Sequence, residues 1–385
     1  VFESINIFAS CTCHSCDLEF VQLVPVGHSL NYTLAFGGDN KKFYKSDDCP
    51  DWLSESVVKS HTEIRKDNLS IEKIVYRTCD QVVILNTLDS LYGHVLLKLY
   101  NAIHYLDLEK ELGLIIIIPR IFKWLIPAGC AEVWIVDIKL SDLVYGYQCL
   151  QKFISDQLVR FKVVYLSKAF SHPSISSQGI ERFTSVIPFD VATYNTQKPV
   201  ITFVLRDDRW WFTNSIDYWF YRICRRFHAM SFGRQILTWH QNQLVKKTIK
   251  AIKSRLPESK FFITGLGHAD KDELFNDERK VNVDAEIEKA WCLIYARSHI
   301  VIGIHGSNML LPTAHAAGCI EILPEDRYGN MIQDITVRHH HREQLFFYRF
   351  ADQFAKPESI ANKAVAMIND YPVFRKNMVL NTYDD

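Results

Sequence analysis

Two short stretches hold residue types that could do chemistry on an anion. The first, His305-Gly306-Ser307-Asn308, ends the apolar run His299–Ile304 and precedes a helical pattern that closes at Gly318. A strand that delivers His and Gly to a sharp turn before a helix exposes backbone N–H groups and the positive end of the helix dipole, and Gly306 admits an anion close to the backbone. Ser307 or Asn308 can cap that helix, and His305 adds a donor without permanent charge. Glu321 and Glu325, on the following run Cys319–Leu323 and just past it, fall where a carboxylate takes two ribose hydroxyls in dinucleotide folds. The second stretch, Arg206-Asp207-Asp208-Arg209, follows the apolar run Val200–Leu205. Arg206 or Arg209 offers a planar, permanently charged fork for a diphosphate. Asp207 or Asp208 could take a proton from a hydroxyl, although an ordinary Asp, with a pKa of about 3.9, is a weak base.

Other candidates are less specific. Gly93-His94 stands near the start of a helical pattern after Gln81–Leu85, and a His there suits proton removal at neutral pH as well as it suits packing. Gly265-Leu266-Gly267 ends another strand and could border a nucleotide base, but two glycines are a weak signal. In His339-His340-His341 neighbouring side chains alternate between faces, so the triplet reads as surface rather than as a metal cluster. Cys11, Cys13, Cys16 and His14 could hold zinc, with Cys49 a distant candidate, but Cys-x-Cys-x-x-Cys lacks a second matched pair, and most of the ten cysteines read as buried thiols. The arginine stretch offers only the adjacent Asp207-Asp208 rather than an Asp-x-Asp pair, so no metal is expected there.

The elements that must position these residues follow from periodicity. Residues 1–75 are polar and rich in turn signals such as Gly37-Gly38-Asp39-Asn40, and read as an irregular N-terminal layer. Short β-branched runs then alternate with helical patterns: strands Gln81–Leu85, Leu114–Ile118, Glu132–Ile138 and Lys162–Leu166, helices Gly93–Leu112 and Ser141–Phe161. After Tyr194–Pro199 the alternation restarts with Val200–Leu205, a helical stretch Ser215–Leu256, strand Lys260–Thr264, helix Asp284–Arg297, strand His299–Ile304, helix Asn308–Ala317, strand Cys319–Leu323 and a last helix Pro357–Asn369. Strand, helix, strand at this pitch predicts parallel sheets, hence an α/β fold of two Rossmann-like domains, 76–196 and 197–385, facing a cleft. The charged segment Asp270–Lys280 reads as a solvated loop. Hydrophobic residues at 48% and charged residues at 23% are globular proportions. Lys and Arg (44) balance Asp and Glu (44), which argues against nucleic acid as a partner and makes any anion site local. Trp210-Trp211 and Tyr218–Tyr221 read first as core packing.

With these residues in hand, Val200–Asn369 resembles the glycosyltransferase family of the secretory-pathway protein O-linked N-acetylglucosaminyltransferases and the plant xylan-modifying transferases. The likeness rests on an Arg after the first strand, a His-Gly-small turn, a helix ending in Gly, and Ile320-Glu321-Ile322-Leu323-Pro324. More distantly the chain is similar to bacterial surface-polysaccharide transferases that use acidic sugars such as Kdo. The resemblance implies the GT-B fold, a nucleotide sugar as co-substrate and no other cofactor, a glycan or glycoconjugate acceptor on the first domain, and no metal. It makes Arg206 and His305-Gly306-Ser307 donor-phosphate contacts, and Glu321 a nucleotide-side residue. The family continues His-Gly-Ala-Gly-Leu where this chain has His305-Gly306-Ser307-Asn308-Met309, which leaves the donor open. A Rossmann-type oxidoreductase or epimerase is the competing class, but it predicts a Gly-x-Gly-x-x-Gly run that the chain lacks; an inactive glycan-binding relative is the third. The longest apolar run, Leu114–Pro119, is too short for a span and no signal pattern opens the chain, so the expected setting is the cytoplasm, with peripheral membrane association allowed. Asn31-Tyr32-Thr33 and Asn68-Leu69-Ser70 would be glycosylation acceptors if a missing leader sent it to the secretory lumen.

Overall fold

The computed structural model describes residues 1–37, 42–171, 173, 179–333, 335–337, 339 and 341–379. The chain is a mixed α/β protein that divides into two compact units, Val1–Pro173 and Ser174–Asp385.

The N-terminal segment of the first unit is ordered rather than irregular, although Gly38, Asp39 and Asn40 of its turn signal lie outside the described residues. Strands β1 (Phe8–Thr12), β2 (Glu19–Leu23), β3 (Leu34–Gly37) and β4 (Phe43–Lys45) form an antiparallel meander. Helix α1 (Asp51–Thr62) closes over it, burying Leu53 and Val57 with Phe8, Leu34 and Phe36. Strand β5 (Ile64–Arg65) makes a two-residue parallel pair with β10 (Gly146–Tyr147). Strands β6 (Ser70–Val75), β7 (Gln81–Asn86), β8 (Gly113–Pro119), β9 (Glu132–Asp137) and β11 (Val163–Leu166) make a sheet in the order β11-β7-β8-β9-β6. Only β6 runs antiparallel, so residues before 76 belong to this sheet. Every residue of the central β8 is buried, as a continuous apolar run covered on both faces should be.

The expected helix Gly93–Leu112 is two, α2 (Tyr92–Tyr100) and α3 (Ala102–Asp107). At the break the Asn101 amide donates to the carbonyls of Lys98 (2.9 Å) and Phe170 (2.8 Å), a side chain competing with the helix for backbone acceptors. The expected helix Ser141–Phe161 is α4 (Gln148–Leu158), preceded by a 3-10 turn at Leu140–Val144 and by β10.

The second unit holds one fully parallel sheet of β12 (Val200–Leu205), β13 (Lys260–Gly265), β14 (Asn276–Asp277), β15 (Ile300–Ile304), β16 (Gly318–Leu323) and β17 (Tyr348–Asp352), in the order β14-β13-β12-β15-β16-β17. Counted within the unit this is 3-2-1-4-5-6. The four-residue α5 (Glu181–Thr184) and the segment after it lie with this unit rather than with the first: Thr184 Oγ1 meets His315 Nε2 at 2.9 Å, and Tyr194 donates to the Met367 carbonyl at 3.2 Å. The division thus falls at Pro173, ahead of the expected boundary at 196.

The stretch Ser215–Leu256 forms α6 (Ser215–Arg226) and α7 (Met230–Lys253), separated at Phe227–Ala229, where His228 has φ +55°. Helices α8 (Ala285–Tyr295), capped by Asp284, α9 (Leu310–His315), α10 (His341–Phe347) and α11 (Pro357–Phe374) complete the unit. Segment Asp270–Lys280 is not a solvated loop. It contributes β14, and the Asp277–Arg279 ion pair inside it is almost wholly buried. Nor is the histidine triplet surface throughout: His339 is buried, stacked on Phe347, with Nε2 2.6 Å from the Ala317 carbonyl. His340 lies outside the described residues. Trp210 and Trp211 are core residues. Among the described residues no helix is long and apolar enough to cross a membrane.

Candidate functional site

In the second unit the chain runs from β12 to β13 and β14 on one side, then crosses to β15 on the other. Parallel sheets of this kind hold ligands beyond the carboxyl ends of the strands where the order reverses. Arg206–Arg209, Gly265–Gly267 and His305–Asn308 occupy those ends. Gly265 has φ +106°, and a Cβ there would stand 2.0 Å from the Leu205 carbonyl oxygen, so only glycine fits the neighbouring strand ends together. Gly267 has φ +137°, with Asp207 and Arg279 as its neighbours. At Gly306, φ +155°, a Cβ would strike the Arg209 guanidinium at 2.1 Å. Arg209 Nη1 lies over the turn and donates to the His305 carbonyl at 2.6 Å. Gly306 therefore makes room for an arginine, where the sequence suggested room for the anion itself.

Arg206 directs Nε and Nη2 at the two Asp208 oxygens, both at 2.6 Å. That hydrogen bonding raises the Arg206 pKa against burial, and the same contact holds Asp208 below the usual carboxylate range. Asp207 is 3.5 Å from Arg234. Buried Gln241 ties the loop down, accepting from Trp211 N–H at 2.9 Å and donating to the Arg206 carbonyl at 3.3 Å.

Three expectations change here. His305 and Glu321 have no exposed surface and are hydrogen-bonded to each other through Nδ1, while His305 Nε2 lies 3.2 Å from the Asn330 carbonyl. Neither is placed to meet a phosphate or a ribose; the pair fixes the turn from beneath. The helix after the turn is a 3-10 turn, Ser307–Met309, followed by only six residues of α9, and neither Ser307 nor Asn308 caps it by its side chain. A dipole so short adds little. Asn308 instead buries Oδ1 with no hydrogen-bond partner among the described residues, close to where a Gly306 Cβ would stand. Glu325 is exposed at the start of a 3-10 turn, Glu325–Asn330.

In the first unit the strand order reverses between β7 and β11, and His94 stands beyond that point on α2. Its Nδ1 is 3.1 Å from Asp89 Oδ1, and Lys98, one turn along, puts Nζ 2.8 Å from Asp89 Oδ2. Asp89 and Lys98 are buried, whereas the His94 side chain is 25% exposed. Burial opposes the charged form of Asp89, but the Lys98 ammonium and the His94 ring outweigh it and hold the carboxyl well below the usual range. An ionised Asp89 accepting from Nδ1–H leaves Nε2 as the proton acceptor of the neutral ring, and no protein group meets Nε2 among the described residues. The His28 ring packs 4.2 Å from that of His94. Asp89 and Lys98, which hold His94 in place, were given no role from the sequence. The signal lay in the His94, Lys98 spacing of four, which puts both on one helical face.

Beyond the carboxyl end of β9 the first unit has an open groove of about 620 Å³, lined by Arg65, Asp67, Asp137, Lys139, Asp142 and Tyr147 among others. Nothing in the sequence pattern marked it, because its walls come from four separate segments. The Cys11–Cys16 cluster forms the end of β1 and the turn into β2, with Cys11 and Cys13 half-buried and Cys16 exposed; five of the ten cysteines are fully buried. Among the described residues no group of three or more His, Cys, Asp or Glu is arranged to hold a metal. Against protein-family models, curated proteins and solved structures, the chain finds no match.

Proposed function

We propose that the chain is a glycosyltransferase of the two-domain Rossmann-like kind, moving a sugar from a nucleotide-activated donor to a hydroxyl of a glycan or glycoconjugate. One observation carries the reading: two arginines and three glycines of positive φ stand on the carboxyl ends of β12, β13 and β15, where the parallel sheet of the second unit reverses its order. As the acceptor oxygen bonds to the anomeric carbon, the anomeric C–O bond to the nucleoside diphosphate breaks, and the departing diphosphate takes the electron pair and needs positive charge beside it. Arg209 supplies it over the Gly306 turn, and Arg206 supplies it when a diphosphate displaces Asp208. Asn308 Oδ1 is an acceptor for a donor hydroxyl. Within the first unit, His94 Nε2 is set to take a proton from a hydroxyl, while Asp89 holds the ring and balances the charge it gains. No step needs a metal, since the cations are supplied by arginine.

The reading is tested by the melting temperature of the full chain with nucleoside diphosphates, nucleotide sugars and dinucleotides. One nucleotide sugar and its nucleoside diphosphate should stabilise the protein, by about 2.7 kcal/mol at a hundredfold excess over Kd. Stabilisation by a dinucleotide alone would turn the assignment towards an oxidoreductase, and stabilisation by nothing would remove the donor site.

A further inference from the structure

The helical pair α6 and α7 presents more apolar surface than its packing uses. The inner side of α6 meets the fold through Tyr218, Tyr221 and Cys224: Tyr221 lies 5.8 Å from both Trp210 and Phe212, and Cys224 packs against Gly233 of α7. Helix α7 buries Leu237, Gln241 and Leu244. A second stripe on each helix points to solvent. On α6 it is Ile216, Trp219 and Ile223, continued by Phe227 (77, 57, 52 and 72% exposed); on α7 it is Phe232, Ile236 and Trp239 (65, 39 and 63%). The spacings i, i+3, i+7, i+11 and i, i+4, i+7 place each set on one helical face.

Charge accompanies this stripe. Asp217 is the sole acidic residue from 215 to 240, against Arg222, Arg225, Arg226 and Arg234. Asp217 is engaged with Asn214 and His240, and Arg234 with Asp207. Arg222, Arg225 and Arg226 are exposed and have no carboxylate partner among the described residues, Arg222 lying over the Trp219 ring at 5.0 Å. On a chain of zero net charge this is a local excess of positive charge beside exposed Trp, Phe and Ile.

We infer that the α6–α7 pair is a docking surface for an anionic membrane. Large apolar side chains on one helical face sink about 5–10 Å into the headgroup boundary, tryptophan favours that depth, and flanking arginines meet anionic headgroups. A protein partner would have to supply an acidic rim and an apolar floor in matching places, whereas an anionic bilayer offers both layers everywhere. The surface would hold the second unit at a membrane without a span.

The test is co-sedimentation of the full chain with vesicles of phosphatidylcholine alone and of phosphatidylcholine mixed equally with phosphatidylserine. Binding is expected to the mixed vesicles and to weaken with salt. It should be abolished in Trp219→Glu/Ile223→Glu/Phe227→Glu, whose exposed sites leave the melting temperature unchanged. In Arg222→Gln/Arg225→Gln/Arg226→Gln it should fall on the order of a hundredfold, about fivefold per arginine. Three results overturn the inference: no binding to either vesicle, binding that survives both triple variants, or a self-associated wild-type chain that the Glu variant converts to monomer without any vesicle binding. The last would assign the face to a second copy of the protein.

Discussion

Asp208 occupies the fork of Arg206 that a diphosphate would need. Asp208→Asn should therefore tighten nucleoside diphosphate binding, by about tenfold if one charge-assisted contact is released to the ligand; calorimetric titration checks this, and weaker binding would mean that Asp208 positions Arg206 rather than competing for it. In the first unit, Asp89→Asn removes the charge that orients His94. It should lower turnover by orders of magnitude with donor affinity unchanged, as expected of a residue acting through a general base, and equal loss of donor affinity would show damage to the fold instead. At this scale the sequence was half legible. The positions of Arg206, Gly306 and His94 could be read because strand ends and glycines are local signals. The role of His305 could not, since its burial depends on Glu321 of the adjacent strand, a contact sixteen residues away that no local pattern encodes.

The elements themselves were legible where hydrophobic runs were long and unbroken, as in β8 and β15, which are buried throughout. They were illegible where pairing rather than pattern makes the strand. Strands β1 to β4 are short and partly polar, and β17, Tyr-Arg-Phe-Ala-Asp, has only Ala351 buried. The start of β12 carries a testable electrostatic consequence. His299 accepts from Val200 N–H at Nδ1 (3.2 Å) and donates from Nε2 to the Tyr194 carbonyl (3.0 Å), and burial lowers its pKa from 6.5 to about 4. The unfolded chain takes up this proton first. Stability should thus be whole above pH 6.5 and fall as the pH drops towards 4, by about 3 kcal/mol in all. The Asp89 contribution lies in a different window, lost only as the pH falls below the ordinary carboxylate value of 3.8. Urea unfolding between pH 7 and 4 measures the His299 effect, and a His299→Gln variant with the same slope as the parent would assign it elsewhere.

Over the whole molecule, a balanced charge total conceals local sites of both kinds, the arginines at the end of β12 and the basic helical pair beside it in sequence. The alternation of strands and helices made the parallel sheets legible, whereas the division at Pro173 was not, because the polar join reads at Tyr194–Pro199 and leaves the segment before it with the first domain, while side-chain contacts with His315 and Met367 hold that segment to the second unit. If the second unit holds the diphosphate of a nucleotide donor through Arg206 and Arg209, that binding does not depend on His94. Titrating nucleoside diphosphates into the full chain, Arg206→Ala/Arg209→Ala and His94→Ala tests it most directly. The arginine variant should lose at least about tenfold in affinity, the equivalent of one charge-assisted contact at about 1.5 kcal/mol or more, with its fold intact, and His94→Ala should bind as the parent does. Equal affinity in the folded arginine variant, or binding lost only in His94→Ala, would contradict it.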